Sequence, residues 1–285
     1  MIFEHEIPAG SRLYFGKSAK LKRELELKAS LVLEELGFEE MVTPLFSYHQ
    51  QESFKDGRSL VRLNDTKNYE VSLRADSTID VMRIATKRLG RSIDSKKWFY
   101  IQPVYNYPTK ERYQIGAEVI DGDFTTICNI VIKILNSFGI YPTLQIANIA
   151  IAHILNQNYS IDLEDLQSMR IEKLLQVEHK WLKNLIAIQT IDDLQDLSIY
   201  PEDIANELRK IKEASEKIDY QKVIISPLYY AKLRYYDSLL LRAFEGNRVF
   251  STGGEYKIAE ISACGFAIES DACIEKIMQK DSDVK

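Results

Sequence analysis

The first half of the chain alternates between helical and strand-like spacing of its apolar residues. Leucines recur at helical spacing among charged residues from Ser18 to Leu36, so we predict a helix that Ser18 caps and Gly37 ends. Further helical patterns cover 76–89 and 127–138. The strand-like runs between these helices lie at 38–42, 69–73, 98–105 and 113–121.

The second half predicts more helices and then a return to strands. The runs at 98–105 and 113–121 flank the turn-forming stretch Pro108 to Arg112, which predicts an antiparallel hairpin. From 150 to 217, leucines recur at helical spacing among many charged residues. This order predicts an α+β fold with a mostly antiparallel sheet flanked by helices. The remaining predicted elements are strands at 223–225, 239–244, 248–251 and 265–268 and a helix at 271–279.

Composition removes several classes of protein. The 285 residues carry 37 Lys and Arg against 42 Asp and Glu, a net charge of -5, so we expect no large nucleic-acid interface and no bound tRNA. The three cysteines, Cys128, Cys264 and Cys273, have no metal-ligand spacing, and we expect no metal or cofactor. Without a signal peptide or a long apolar run, the chain is expected to be cytoplasmic, with no membrane contact.

Several short segments resemble, in order, the catalytic core of class II histidyl-tRNA synthetases. By itself each has an ordinary explanation, for example Asp76 and Ser77 as helix caps or Gly253 and Gly254 as a turn. Their shared order over about 7–280 carries the resemblance. The segments are IPAGSRLY, LGFEEMVTPLF, LRADST, YQIGAEVI, LRYYDSLLLRAFE, and STGGEY with CGFAIESDA.

The resemblance implies a domain arrangement. Residues 1–149 and 218–285 correspond to a class II core, and 150–217 to a helical insertion in it. We expect no C-terminal anticodon-binding domain after the segment CGFAIESDA. LGFEEMVTPLF matches the family's dimer-forming motif 1, so we expect a homodimer. The apolar face expected to form it consists of Phe38, Met41, Val42 and Leu45.

The resemblance also implies an amino-acid pocket suited to histidine. A carboxylate for an ammonium and polar groups for ring nitrogens are the chemistry that a free amino acid requires. The matching positions are Asp76 and Thr78 for the ammonium, Gln114 and Glu118 for the polar wall, and Tyr235 and Tyr236 beside the imidazole.

The arginines that would bind ATP are missing. Asn106, Ala231 and Ala272 stand where the family has arginines, and Glu255 replaces another. Arginine forks suit phosphate oxygens because they donate two parallel charged hydrogen bonds, which these residues cannot do. The chain is therefore expected to lack adenylation activity and to have no catalytic residue.

This combination resembles the regulatory subunits of short-form ATP phosphoribosyltransferases, which act in the first step of histidine biosynthesis. The resemblance implies a hetero-oligomer with the catalytic subunit, allosteric feedback inhibition by free histidine, and no enzyme activity of its own. Two alternatives stay open: a class II paralogue that retains an ATP-dependent ligase activity, and a structural or tRNA-binding relic without a small ligand.

Overall fold

The computed structural model describes residues 6–50, 59–90, 93–168, 170–230, 235–258 and 260–283. The chain forms two units, which are discontinuous in sequence. The first unit comprises 1–121, 134–140 and 265–285, and the second comprises 122–133 and 141–264. The helix Phe124–Ser137 (α3) and the strand Ile261–Glu269 (β11) contribute residues to both.

The first helix, α1 (Gly16–Glu35), buries one apolar face, with Leu25, Ala29 and Leu33 spaced four residues apart. Gly37 follows the helix with a φ of +79°, a conformation that favours glycine, and confirms the predicted end. The predicted N-cap, Ser18, is wrong: the N-cap of α1 is Phe15, about one turn earlier.

Ser18 lies inside the first turn of α1, and the helix begins after Phe15. Its hydroxyl accepts a hydrogen bond from the Phe15 N–H at 3.1 Å and donates one to the Phe15 carbonyl at 2.9 Å. The Ser18 side chain therefore stabilises the first turn of α1 through the backbone of the N-cap residue.

The strands of the first unit form a hairpin and a small sheet. Strand β5 (Lys97–Asn106) pairs antiparallel with β6 (Lys110–Ile120), which confirms the predicted hairpin; β6 begins inside the predicted turn. The predicted strand 38–42 is reduced to β1 (Glu39–Glu40), which pairs in parallel with β5. The small sheet has the order β2 (Phe46–Ser47), β4 (Glu70–Leu73), β3 (Arg62–Asn64).

Two helices complete the first unit. Helix α2 (Thr78–Arg83) continues as a π-helical segment (Ile84–Leu89), in agreement with the pattern at 76–89. Helix α9 (Ser270–Asp283) confirms the predicted last helix and extends it. A core cluster beneath α2 fixes its position against β5. The cluster comprises Met41, Val81, Ala85, Trp98 and Tyr100.

Besides the first part of β11, the described residues of the second unit form strands in the order β10 (Arg248–Ile258), β9 (Tyr236–Glu245), β7 (Thr143–Asn148) and β8 (Val223–Ile225). Strand β9 pairs antiparallel with β10 and β7, whereas β8 pairs in parallel with β7. The α+β class with a mostly antiparallel sheet is confirmed. Its helices are α4 (Ile149–Tyr159), α5 (Leu163–Gln167), α6 (Ile171–Leu174), α7 (Lys180–Ala187) and α8 (Glu202–Lys217).

Within the part of the chain that the structure describes, no helix has the length and apolar character needed to cross a bilayer. The same residues contain no group of three or more His, Cys, Asp or Glu side chains able to hold a metal ion. The three cysteines are buried free thiols, and burial raises the pKa of Cys128 and Cys273.

Candidate ligand site

Glu118 is the most deeply buried of the predicted site residues, with 1% of its surface exposed. It lies on β6, and its Oε1 accepts a hydrogen bond of 2.7 Å from the Thr78 hydroxyl and one of 3.4 Å from the Tyr100 hydroxyl. The structure therefore brings Thr78 and Glu118 together, although their positions differ by 40 in sequence. Buried carboxylates need such donors because desolvation is costly.

Two glycines leave room for this carboxylate. A Cβ on Gly265 would overlap the Glu118 carboxylate and approach the Ala117 carbonyl oxygen to 2.7 Å. A Cβ on Gly116 would overlap the Tyr100 ring and hydroxyl. The absence of side chains at both positions thus allows Glu118 and Tyr100 to meet inside the first unit.

We predict that Gly265→Ala destabilises the protein by about 1–3 kcal/mol, the usual cost of overpacking a filled interior. Gly246→Ala is the comparison, because Gly246 has a positive φ of +56° but open space around its Cβ position. Chemical denaturation should show a larger loss for Gly265→Ala. Equal losses would mean that space beside Glu118 is not limiting.

Asp76 lies between β4 and α2 and has a structural role at the start of the helix. Its Oδ1 accepts a hydrogen bond from the Ile79 N–H at 3.4 Å, so the ordinary capping role is present at Asp76. The Ser77 side chain makes no capping hydrogen bond. Asp76 remains half-buried, with its carboxylate at the N-terminal end of α2.

Gln50, which the sequence analysis did not identify, holds the turn that carries Asp76. Its Oε1 accepts hydrogen bonds from the N–H groups of Ala75 and Asp76 at 2.8 and 2.7 Å. Its Nε2 donates to the Asp76 carbonyl at 2.8 Å and to Asp80 Oδ2 at 2.7 Å. Burial raises the pKa of Asp80, while hydrogen bonds from Ser47 and Gln50 act in the opposite direction.

Arg74 fastens the same turn to its surroundings. Its Nη1 donates to the carbonyls of Thr43 and Pro44 at 2.8 and 3.1 Å, and its Nε donates to the Pro103 carbonyl at 3.0 Å. Burial lowers the pKa of this guanidinium. Arg74, the arginine of LRADST, therefore has a structural role: its guanidinium donates to backbone carbonyls within the first unit.

Gln114 meets an acidic residue that the sequence analysis did not consider. Its Nε2 donates to Glu269 Oε1 at 2.8 Å, and Arg112 Nη1 donates to the same oxygen at 2.9 Å. Arg112 Nη2 in turn donates to Asn106 Oδ1 at 3.3 Å. Asn106, at a position where the family has an arginine, thus accepts a hydrogen bond from another arginine of the hairpin.

A second acidic contact follows at the start of α9. Asp271 Oδ2 accepts a hydrogen bond from the Tyr113 N–H at 3.2 Å and lies 3.6 Å from Arg12 Nε. Burial raises the pKa of Asp271, and burial also raises that of Tyr113 to about 12. Ala272, where the family has an arginine, is half-buried beside this carboxylate in the chain.

The two predicted tyrosines belong to the second unit. The Tyr235 and Tyr236 rings lie 4.7 Å apart between centroids, and each also packs against Tyr256, at 5.4 and 6.4 Å. Tyr236 and Tyr256 are buried. The sequence analysis identified the first two rings but missed Tyr256, which lies in the glycine-rich strand segment.

Glu255 lines a cavity of about 320 Å³ in the second unit, with Lys210, Asp237 and Lys257 among the other lining residues. Its Oε2 accepts a hydrogen bond from the Leu239 N–H at 3.3 Å. Ala231, the remaining position of a lost arginine, lies outside the described residues.

Comparison with known proteins identifies the family. The profile of the histidyl-tRNA synthetase family matches residues 14–273. A crystal structure from Bacillus halodurans, named as an ATP phosphoribosyltransferase regulatory subunit/histidyl-tRNA synthetase, superposes with a TM-score of 0.84 at 18% identity and covers 96% of this chain and 84% of that one. The fold and the matched profile define a class II synthetase-like protein.

Curated relatives narrow this class. Proteins from Wolinella succinogenes and Helicobacter hepaticus, 42% and 40% identical, each align with 98% of this chain and with 98% and 100% of their own lengths. Both are named ATP phosphoribosyltransferase regulatory subunit. This chain belongs to the family of ATP phosphoribosyltransferase regulatory subunits.

Proposed function

We propose that the chain assembles with a catalytic ATP phosphoribosyltransferase subunit, activates it, and conveys feedback inhibition by histidine. The observation that carries this proposal is near-full-length identity of 40–42% to two regulatory subunits. The chain is a non-catalytic subunit, in keeping with Asn106 and Ala272 at positions where synthetases have arginines. An ATP-dependent ligase is not favoured, because the relatives that align over nearly the full chain are named as regulatory subunits.

The proposed histidine pocket rests on the resemblance and on the polar chemistry of the first unit. Asp76 and Glu118 would supply negative charge toward a ligand ammonium and imidazole, with Thr78 and Gln114 as hydrogen-bonding neighbours. The Thr78 to Glu118 hydrogen bond supports this proposal, since it joins two of the four positions. Tyr235 and Tyr236 remain part of the proposal on the strength of the resemblance.

Co-expression with the catalytic subunit from the same organism tests the assignment. We expect the two chains to co-purify, and the catalytic subunit to be more active in the complex than alone. We also expect histidine to inhibit the complex. A catalytic subunit that is fully active alone and does not bind this chain would contradict the assignment.

The proposal includes the domain arrangement and a cytoplasmic location. Residues 150–217 would act as an insertion in the class II core of residues 1–149 and 218–285. A regulatory subunit works where its catalytic subunit meets its substrates, and for amino-acid biosynthesis that place is the cytoplasm.

We further propose that the chain forms a homodimer within the hetero-oligomer. Of the expected contact residues, Phe38 and Met41 are buried within the chain itself, so the expectation that they form the dimer surface is wrong. Val42 is 76% exposed, and Leu45 and Phe46 are exposed beside it in the chain. Exposed apolar side chains grouped in this way are typical of contact surfaces.

Val42→Asp combined with Phe46→Asp should convert a dimer to a monomer, because burying two unpaired carboxylates at an interface is strongly unfavourable. Light scattering should give the unchanged chain a mass of twice 32.9 kDa and the variant 32.9 kDa. Ile199→Asp, which changes an exposed isoleucine of the second unit, is the matched control and should stay dimeric. An unchanged chain that is monomeric at micromolar concentration would refute the dimer.

A further inference from the structure

Arg112 lies on the same hairpin as Asn106, and its positive charge would suit the phosphates that an arginine at position 106 would bind. Its surroundings oppose that role. Its Nη1 is paired with Glu269 at 2.9 Å, and its Nη2 donates to Asn106 at 3.3 Å. Its Nε is buried and has no hydrogen-bond partner among the described residues. One N–H of each terminal nitrogen is therefore already used inside the chain.

Glu269 also takes the neighbouring amide donor. One oxygen, Oε1, accepts hydrogen bonds from both Arg112 and Gln114, the latter at 2.8 Å. If Glu269 did not accept these two hydrogen bonds, the same pair of donors could bind an oxygen of a phosphate or carboxylate ligand. The side chains of Arg112 and Glu269 are 29% and 20% exposed, so a solvent ion can reach them.

We propose that Glu269 is a specificity-determining residue that excludes phosphate-bearing ligands from the N-terminal end of β6, where Arg112 and Gln114 lie. Its carboxylate acts as a built-in anion: it occupies the donors of Arg112 and Gln114, and its charge repels a second anion. The loss of nucleotide binding would then have two causes: the arginines of the family are missing, and the guanidinium of Arg112 is paired with Glu269. A regulator built in this way would respond to histidine irrespective of nucleotide level.

Glu269→Ala should allow inorganic pyrophosphate to bind. Isothermal titration of the purified chain should give a Kd about tenfold or more lower than that of the unchanged protein, the range for one recovered charge-assisted hydrogen bond. Glu269→Ala combined with Arg112→Ala should lose this gain, because the guanidinium is then absent. The measurement needs no catalytic subunit, so its outcome is separate from that of the proposed function.

Glu275→Ala is the matched control. Glu275 lies on α9, just after β11 and Glu269 in the chain, and it pairs with an arginine, Arg12, at 3.1 Å, so its removal changes the net charge equally. We expect no gain in pyrophosphate affinity. An equal gain in this variant would reduce the effect of Glu269 to general charge and overturn the proposal.

Glu269→Gln covers the case in which the alanine variant does not fold. The amide keeps an acceptor oxygen and removes the charge, so a smaller gain in the same direction is expected. Circular dichroism and thermal unfolding establish that each titrated variant is folded. A folded Glu269→Gln or Glu269→Ala variant without any gain, or a gain that persists without Arg112, would contradict the proposal.

Discussion

Histidine-dependent ATP–pyrophosphate exchange by the purified chain is expected to be at least about a thousandfold slower than exchange by a histidyl-tRNA synthetase. Each charged hydrogen bond lost at Asn106, Ala231 and Ala272 is worth about 1.5–3 kcal/mol. A conservative total on the order of 4 kcal/mol corresponds to a factor of about a thousand. Glu255, in place of a fourth arginine, adds repulsion toward the triphosphate.

The control for this measurement is a true histidyl-tRNA synthetase assayed at the same enzyme, ATP and histidine concentrations. Reinstating arginine at Asn106 alone should not restore exchange, because the other two positions would still lack guanidinium groups. Exchange within a hundredfold of the synthetase would contradict the prediction and revive the ligase alternative.

Much of the fold could be predicted from local sequence. The hairpin of β5 and β6 follows from two β-prone runs around a turn, and α1 from its leucine spacing and Gly37. Strand β7 was missed, because Thr143–Asn148 is followed directly by α4 without a glycine or proline between them.

The candidate site was predictable only where a family motif marked the residue. Thr78 and Glu118 were predicted from LRADST and YQIGAEVI, and the structure joins them through a hydrogen bond. Gln50 lies outside the segments that carry the resemblance, and Glu269 lies within CGFAIESDA at a position to which the resemblance assigned no role. Their partners lie far away in sequence, 155 positions in the case of Gln114 and Glu269, so only tertiary pairing reveals their roles.

The same reasoning corrects the expected dimer surface. Phe38, Met41, Val42 and Leu45 are all apolar, and the sequence gives no means to tell which side chains the monomer itself buries. In the structure Met41 packs in the core cluster with Trp98 and Tyr100, whereas Val42 is left exposed. Successive side chains of an extended segment point in opposite directions, so the residues after β1 in LGFEEMVTPLF are divided between the core and the surface.

The histidine concentration that half-inhibits the reconstituted complex should rise about tenfold or more when Asp76→Asn is combined with Glu118→Gln. Amides replace both carboxylates with little change in shape, so the cap at Ile79 and the acceptor for Thr78 keep an oxygen. The negative charge proposed to face the ligand is lost, and one charged hydrogen bond is worth about 1.5–3 kcal/mol, or about ten- to a hundredfold.

Asp123→Asn is the matched control for this last prediction. Asp123 accepts a hydrogen bond from the Thr126 N–H at 2.9 Å at the start of α3, so the variant also neutralises a carboxylate at the start of a helix, and Asp123 is not one of the proposed pocket residues. Its inhibition curve should match that of the unchanged complex. Size-exclusion chromatography must show intact complexes in every case, since a dissociated complex would lose inhibition for another reason.

If the double variant assembles and its inhibition curve does not move, histidine is sensed elsewhere. If the curve shifts with assembly intact, the pocket inherited from the synthetase fold acts as the regulatory site, because a ligand that favours one state of the complex must change the activity of its partner.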